Sequence, residues 1–115
     1  MKVLVCGSRE YDNWERIDFE LSSLLKKPDV IIHGAASGVD SLAGLWARRN
    51  EIIEETYPAD WKTHGKAAGP IRNKKMLDEG KPDYVIAFIS EKSKGTKNMV
   101  EQAEGRGIPV IVHSV

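Results

Sequence analysis

The residues best suited to chemistry lie in a glycine-rich turn that reads G-A-A-S-G-V-D. Its candidate ligand-binding residues are Gly34, Ala35, Ser37, Gly38 and Asp40. Small residues let a ligand approach the backbone, and free amides at a helix N-terminus attract anions, so the turn predicts a phosphate site. The Asp40 carboxylate could accept hydrogen bonds from a ribose. A purely structural alternative remains, in which Ser37 caps the helix and Asp40 completes a capping box.

A second set of candidates is cationic. The segment from 62 to 75 carries five cations and no acid: Lys62, Lys66, Arg72, Lys74 and Lys75. Lys66, Arg72 and Asn73 are its ligand-binding candidates. Arg72 falls in the predicted first turn of a helix, where it could hold a phosphate bidentately or simply face solvent. Two more candidates, Gly95 and Thr96, lie among lysines before the last predicted helix, so the sequence predicts a cationic binding edge.

The remaining ligand-binding candidates are Gly7, Ser8, Arg9, Asp60 and Trp61. Arg9 either reaches a ligand or pairs with the acid-rich stretch that follows it. Trp61 could stack on a base or sugar, or it could plug its loop against the core. Asp60 is, with Asp40, a candidate carboxylate beside a ribose.

Metal chemistry and serine-type nucleophilic catalysis find no support in the sequence. The three histidines, His33, His64 and His113, have neither ligand spacing nor cysteine partners. No Ser/His/Asp signature is present. We therefore predict no metal site and no cofactor.

Length and composition narrow the class of protein. The 115 residues predict a single domain over 1–115, and 17 basic against 17 acidic side chains give zero net charge. Neutrality argues against a protein whose main role is to grip a nucleic-acid backbone. The lone Cys6 predicts no disulfide, and the absence of a signal peptide or a membrane-length apolar stretch predicts a cytoplasmic protein without a membrane partner.

Apolar runs and amphipathic segments alternate along the chain. The predicted strands are Val3–Cys6, Val30–His33, Ile52–Tyr57, Tyr84–Ile89 and Ile108–Val112. The first predicted helix has Asp12 and Glu15 as its capping pair and keeps apolar spacing to Leu25, and the second runs to Asn50. The third begins at Pro70, directs Ile71 and Leu77 inward and ends at Gly80, and the fourth is capped by Thr96.

Strict alternation of this kind predicts a Rossmann-like α/β sandwich of three layers. We expect a five-stranded parallel sheet in the order 3-2-1-4-5, with helices on both faces. In such a sheet the loops after the strands meet at one edge, and ligands bind where the winding direction reverses, here between strands one and four. The candidate residues above all follow strands or begin helices at that edge, including those of the long segment 58–69.

The motifs resemble one family in the expected order and over nearly the whole chain. They are G-S-R, H-G-A-A-S-G-V-D-S-L-A, Y-P-A-D-W, G-K-A-A-G-P-I-R-N-K-K-M-L and K-G-T. Together they are similar to the YspA group (cpYpsA-related) of the SLOG superfamily, whose relatives include Lonely Guy phosphoribohydrolases and DprA. The resemblance implies a Rossmann-like domain that binds a nucleotide or a nucleotide-derived ligand.

The resemblance also bears on a hydrolase activity. In Lonely Guy enzymes an arginine of R-K-x-x-M and a glutamate of G-G-x-G-T-x-x-E support cleavage of the N-glycosidic bond of a nucleoside monophosphate. Arg72 matches the arginine, but Met99 stands at the glutamate position and the nearest acid is Glu101. These positions differ by about 200° around a helix, so Glu101 should face away. The tentative catalytic residues are Asp40 and Arg72.

Three functions therefore stay open. The first is a nucleotide-ligand protein, either a sensor or an enzyme such as a nucleoside monophosphate phosphoribohydrolase. The second is a DprA-like single-stranded DNA-binding module, with Trp61 and His64 available for stacking. The third is an assembly module without a working pocket. A homodimer is expected because Rossmann-like relatives often pair through helices.

Overall fold

One parallel sheet of five strands forms the centre of the molecule, in the order β3-β2-β1-β4-β5. The computed structural model describes residues 1–115. The strands are β1 (Lys2–Gly7), β2 (Val30–His33), β3 (Ile53–Thr56), β4 (Tyr84–Ile89) and β5 (Val110–Ser114). The predicted strand order is confirmed, and β1 pairs in parallel with both β2 and β4.

Four helices cover the sheet: α1 (Trp14–Ser22), α2 (Val39–Arg49), α3 (Ala68–Lys75) and α4 (Lys94–Gly105). The three-layer α/β fold is therefore confirmed. A single helical turn at Trp61–His64 and a short 3₁₀ segment at Gly65–Ala67 precede α3, and a π turn at Met76–Gly80 follows it. No helix is long and apolar enough to cross a bilayer.

The apolar runs are buried on both faces of the sheet, as central parallel strands require. On one face, alternate residues of β1, β2 and β4 pack against α1 and α2, with Phe88 and Trp46 among the largest side chains. On the other face, the intervening residues pack against α3, its π turn and α4, where Met76 and Met99 fill the layer. Both cores hold the carboxyl ends of β1 and β4 in fixed positions.

The first helix differs from its predicted form at both ends. Asn13, rather than Asp12, is the cap, and its side chain accepts a hydrogen bond from the amide of Arg16 at 3.1 Å. The helix ends at Ser22, before the predicted Leu25, and Leu25 is fully exposed. Leu25 fits the helical spacing, but it lies in the connection after the helix and has no layer to pack against.

The segment from 58 to 80 also corrects the sequence prediction. Helix α3 begins at Ala68, two residues before Pro70, because two short helical turns lead directly into it. Its inward positions are Ala68, Gly69 and Asn73, so Ile71 is 43% exposed instead of buried, whereas Leu77 is buried as expected. The left-handed residue that ends the π turn is Lys81, with φ 50°, and not Gly80.

The two edge strands differ in charge. Edge strand β3 carries Glu54 and Glu55, which pair with Arg48 and Lys2. Edge strand β5 starts at Val110 and has no acid or lysine among its five residues. The charges on β3 protect its open edge from pairing with another strand.

Candidate functional site

A cavity of about 480 Å³ opens at the carboxyl ends of β1 and β4, between α3 and α4. This is the point where the winding of the sheet reverses, because β1 lies between β2 and β4. Ten of the residues predicted from the sequence line it: Gly7, Ser8, Arg9, Asp40, Trp61, Lys66, Arg72, Asn73, Gly95 and Thr96. We call this space the main cavity.

A smaller cavity of about 280 Å³ lies next to it. Three of the remaining predicted residues, Gly34, Ala35 and Ser37, line this smaller cavity. Gly38 and Asp60 line neither of the two. The structure thus brings 13 of the 15 predicted site residues to two neighbouring cavities.

The glycine-rich turn is organised around the Asp40 carboxylate. Asp40 Oδ2 accepts hydrogen bonds from the amides of Gly34 and Ala36, at 3.1 and 3.2 Å. Ala35 adopts a left-handed conformation with φ 58°, which folds the turn back toward Asp40. The alternative of a capping box formed by Ser37 and Asp40 is therefore excluded. Gly38 is the N-cap of α2 without a side-chain bond, and the Ser37 hydroxyl donates to the carbonyl of Arg9.

The third amide of the turn is also occupied. The amide of Ala35 donates to Nδ1 of His33 at 3.0 Å, while Nε2 of that ring lies 2.5 Å from Glu54 Oε2. The tautomer that satisfies both contacts carries its proton on Nε2. Consequently the amides of Gly34, Ala35 and Ala36 are all used within the chain, and none of them is free for an external phosphate.

The two glycines of the turn allow close contacts between loops. Gly38 has φ 73°, and a Cβ on it would overlap the backbone oxygens of Ser8 and Arg9. A Cβ on Gly34 would overlap the guanidinium of Arg72. Glycine at these positions therefore lets the loop after β1 and the side chain of Arg72 approach the turn, rather than a ligand.

Asp40 is buried but keeps one oxygen available. Its residue is 6% exposed, and burial raises the pKa of the carboxyl, against the opposing effects of the turn amides, His33 and Arg72. Oδ2 holds both turn amides, and Oδ1 makes no hydrogen bond within the chain. No fully buried side-chain oxygen lacks a partner, so Oδ1 must retain access to the main cavity that Asp40 lines.

Arg72 is held by hydrogen bonds within the chain. Nη1 donates to the carbonyl of Gly34 at 2.5 Å and reaches that of Tyr57 at 3.5 Å, and Nε donates to Asn73 Oδ1. Burial lowers its pKa, and the nearby Asp40 carboxylate opposes this effect. Only Nη2 has no partner within the chain. A bidentate phosphate clamp would therefore need Arg72 to give up a bond that it already makes.

Asn73 joins the two walls of the main cavity. It is 3% exposed, and its amide nitrogen donates to the carbonyl of Gly95 and to Asn98 Oδ1, at 3.2 and 3.1 Å. Its oxygen accepts from Nε of Arg72. The side-chain hydrogen-bonding groups of Asn73 are therefore all engaged within the chain. Its role is to hold α3 and α4 together rather than to bind a ligand.

Trp61 and Arg9 form the outer rim. The guanidinium of Arg9 lies 5.1 Å from the centroid of the Trp61 ring, and Trp61 is 47% exposed. The neighbouring Asp60 caps the short helical turn by accepting from the amide of Thr63 at 3.1 Å, and the hydrogen bonds from Thr63 lower its pKa. Asp60 lies outside both cavities because this cap directs it elsewhere.

The N-terminus of α4 supplies free donors. Helix α4 begins at Lys94 after Ser93, so the prediction of Thr96 as its cap is wrong by three residues, and Thr96 lies inside the first turn. Ser93 makes no side-chain cap bond, and the amides of Gly95 and Thr96 have no acceptor within the chain. These amides, with the lysines at 92 and 94, make this end of the cavity attractive to an anion.

Sequence reasoning missed several lining residues. They are Cys6, Glu10, Ala36, Gly69, Pro70, Met76, Lys92, Ser93, Lys94, Asn98 and Met99. In the sequence, the lysines at 92 and 94 stand out only as charges that flank Gly95 and Thr96, and nothing distinguishes Glu10 from the acidic residues near it. Met99 lines the cavity, and Glu101 is exposed and lies outside it. No group of three or more histidine, cysteine or acidic side chains is placed to hold a metal.

Comparisons with known proteins agree with this architecture. The gene 61 protein of Mycobacterium phage D29 is 37% identical over 121 residues, which cover 96% of this chain and 94% of the phage protein. DNA processing protein A (DprA) from Streptococcus pneumoniae superposes with a TM-score of 0.79 at 21% identity. That match covers 96% of this chain but 49% of DprA, and it shows a shared fold. Residues 1–64 match the YspA, cpYpsA-related SLOG family, and the chain belongs to that family.

Proposed function

We propose that the main cavity binds a nucleotide or a nucleotide-derived phosphate ligand. The observation that carries the proposal is the charge of its lining, where five cations face two carboxylates. The cations are Arg9, Lys66, Arg72, Lys92 and Lys94, and the carboxylates are Glu10 and Asp40. A volume of about 480 Å³ lies within the usual range of small-molecule sites.

The phosphate belongs at the N-terminus of α4. The free amides of Gly95 and Thr96 can donate to phosphate oxygens, with Lys92 and Lys94 beside them. The turn after β2 is the poorer choice because Asp40 and His33 already occupy three of its amides. Asp40 Oδ1 is then available to a ribose, and the exposed Trp61 ring to a base or sugar.

The ligand is either bound without chemical change or cleaved, and cleavage would require a carboxylate close to the ribose. Cleavage of an N-glycosidic bond passes through an oxocarbenium-like transition state that a nearby carboxylate stabilises, as water adds to the anomeric carbon and the base departs. Met99 stands where the related hydrolases have a glutamate, so Asp40 is the carboxylate available for this role. Asp40→Asn should abolish any base release while it leaves nucleotide affinity within about twofold, and unchanged turnover would contradict a catalytic Asp40.

Thermal unfolding in the presence of nucleoside mono- and diphosphates tests binding directly. A ligand at 100 times its dissociation constant stabilises the folded state by about 2.7 kcal/mol. Lys92→Ala and Lys94→Ala should each weaken affinity by about two- to fivefold, as expected for partly solvated charges. Lys62→Ala is the matched control, since Lys62 lines neither cavity. No stabilisation by any nucleotide, or an equal effect of the control, would refute the proposal.

Single-stranded DNA is the second candidate ligand. The fold shared with DNA processing protein A and the half-exposed Trp61 beneath Arg9 favour it. Binding to oligothymidylate that falls steeply with salt, without a saturable mononucleotide site, would support this alternative. Saturable mononucleotide binding with weak salt dependence would favour the first proposal.

A further inference from the structure

The main and smaller cavities are two parts of one groove. Arg9, Ala36, Trp61 and Arg72 line both of them. The rest of the smaller cavity is formed by the turn after β2 and by Pro58 and Ala59. The shared residues therefore form a partition between a compartment of about 480 Å³ and one of about 280 Å³.

The outer part of this partition can open at little cost. It consists of the Arg9 guanidinium over the Trp61 ring at 5.1 Å, and both residues are exposed. Cation–π pairs at exposed positions contribute little stability. Arg9 makes no side-chain hydrogen bond or ion pair that would hold it in place. The floor of the partition, by contrast, is fixed by the bonds of Arg72.

The charges of the shared wall indicate which part of a ligand would lie between the two cavities. Arg9 and Arg72 are the only charged residues of the smaller cavity, and both lie in the shared wall. Burial lowers the pKa of Arg72, Asp40 opposes this, and the positive charge of Arg9 lowers it further. An anionic group between the two guanidiniums would relieve their repulsion. The other residues that line the smaller cavity are uncharged, and apart from Trp61 they have small side chains.

We propose that the ligand is a nucleoside diphosphate that carries a second sugar or nucleoside, with this second group in the smaller cavity. The diphosphate would extend from the α4 N-terminus to the partition, and Arg9 would move from Trp61 onto it. This inference rests on the nucleotide-binding function proposed above and specifies its ligand. It also gives the turn after β2 a role, as the wall that contacts the second group.

Matched pairs of probes test the proposal by calorimetry. The pairs are ADP with ADP-ribose, GDP with GDP-mannose, and UDP with UDP-glucose. For at least one pair the extended member should bind at least tenfold more tightly than the plain diphosphate. Ala59→Phe, which fills the smaller cavity, should remove that gain and leave the diphosphate affinity within about twofold. Ala67→Phe, at an exposed position that lines neither cavity, should change neither affinity.

Hydrogen–deuterium exchange on the unaltered chain gives a second measurement, should Ala59→Phe fail to fold. The extended probe should protect the backbone amides of residues 34–37 and of Ala59 more than the plain diphosphate does. Equal affinities within every pair, or equal protection, would overturn this inference while the nucleotide-binding proposal stands. Absence of binding by all six probes would also overturn this inference, and it would overturn the nucleotide-binding proposal as well if no nucleoside monophosphate stabilised the chain.

Discussion

Arg72 Nη1 lies 2.5 Å from the carbonyl oxygen of Gly34, and this contact joins helix α3 to the turn after β2. Thirty-eight positions separate the two residues in sequence. Gly34 makes the contact possible because any side chain there would occupy the space of the guanidinium. The contact fixes Arg72, which lines both cavities, against the turn that lines the smaller cavity.

Gly34→Ala should therefore displace Arg72 and destabilise the protein. The buried guanidinium would lose its hydrogen bond to the turn, a loss of about 1–3 kcal/mol. Urea denaturation would measure the change. Gly105→Ala, at the end of α4 with open space around it, is the control and should be neutral or slightly stabilising. Equal stability of the two variants would show that the Gly34 contact contributes nothing.

Glu54 should make stability depend on pH. It accepts from Arg48 at 2.7 Å and lies 2.5 Å from His33 Nε2, and the hydrogen bond with His33 is the main cause that lowers its pKa below 4.5. Its contribution is therefore present above pH 4.5 and is lost as the pH falls through the lowered value.

Glu54→Gln should cost roughly 1–2 kcal/mol at pH 7, and the difference from the unaltered chain should shrink toward pH 3. Thermal melts between pH 3 and pH 7 would record both curves. Glu101→Gln is the matched control, because this residue is exposed and its side chain makes no hydrogen bond or ion pair. A constant difference across this range would contradict the assignment.

Cys6 should be inert in the folded protein. It is 8% exposed on the wall of the main cavity, and burial raises the pKa of its thiol, so little thiolate forms at neutral pH. We expect iodoacetamide at pH 8 to label the native chain at least about tenfold more slowly than the chain in guanidinium chloride. The chain has one cysteine, so mass spectrometry gives an unambiguous count. Equal rates would contradict the burial of this thiol.

Asn73→Ala should affect both stability and binding. The variant loses the bonds to Gly95 and Asn98 and leaves Arg72 Nε without its acceptor, at a cost of about 1–3 kcal/mol. Nucleotide affinity should fall as well, because the walls formed by α3 and α4 are no longer joined. Asn50→Ala removes a side-chain bond to Trp46 away from the cavity and should leave affinity unchanged. Unchanged affinity in Asn73→Ala would assign that residue a purely structural role.

The fold could be predicted because its strongest signals are local. The apolar runs of β1, β2 and β4 are long enough to mark strands buried on both faces, and glycine or proline separates the elements. Helix starts are harder to predict from the sequence because neighbouring residues can serve equally well as caps. Asp12 and Asn13 are both good caps, and only the backbone geometry selects Asn13.

The sequence predicts which candidate residues lie near one another, but it does not predict the contacts that each side chain makes. Parallel topology brings the loops after the strands to one edge whatever their sequences, so the segments that meet at the main cavity follow from the strand order. Which partner each side chain takes depends on contacts between distant residues, such as Arg72 with Gly34. The left-handed conformation of Ala35 also affects which backbone amides Asp40 can bind. Alanine rarely adopts this conformation, and nothing in the sequence predicts it here.

The Asp40 carboxylate occupies the turn after β2 as an internal anion, in the position that a bound anion from solution would take. It competes with dissolved anions for the amides of Gly34 and Ala36. Because the carboxylate is part of the same chain, its effective concentration at these amides is high, and it occupies them in preference to an anion from solution. A chain with glycine in place of Asp40 would expose those amides as a vacant anion receptor. Chloride or inorganic phosphate would then stabilise that variant more than the parent chain, because the variant offers the anion these two amides in addition to the N-terminus of α4.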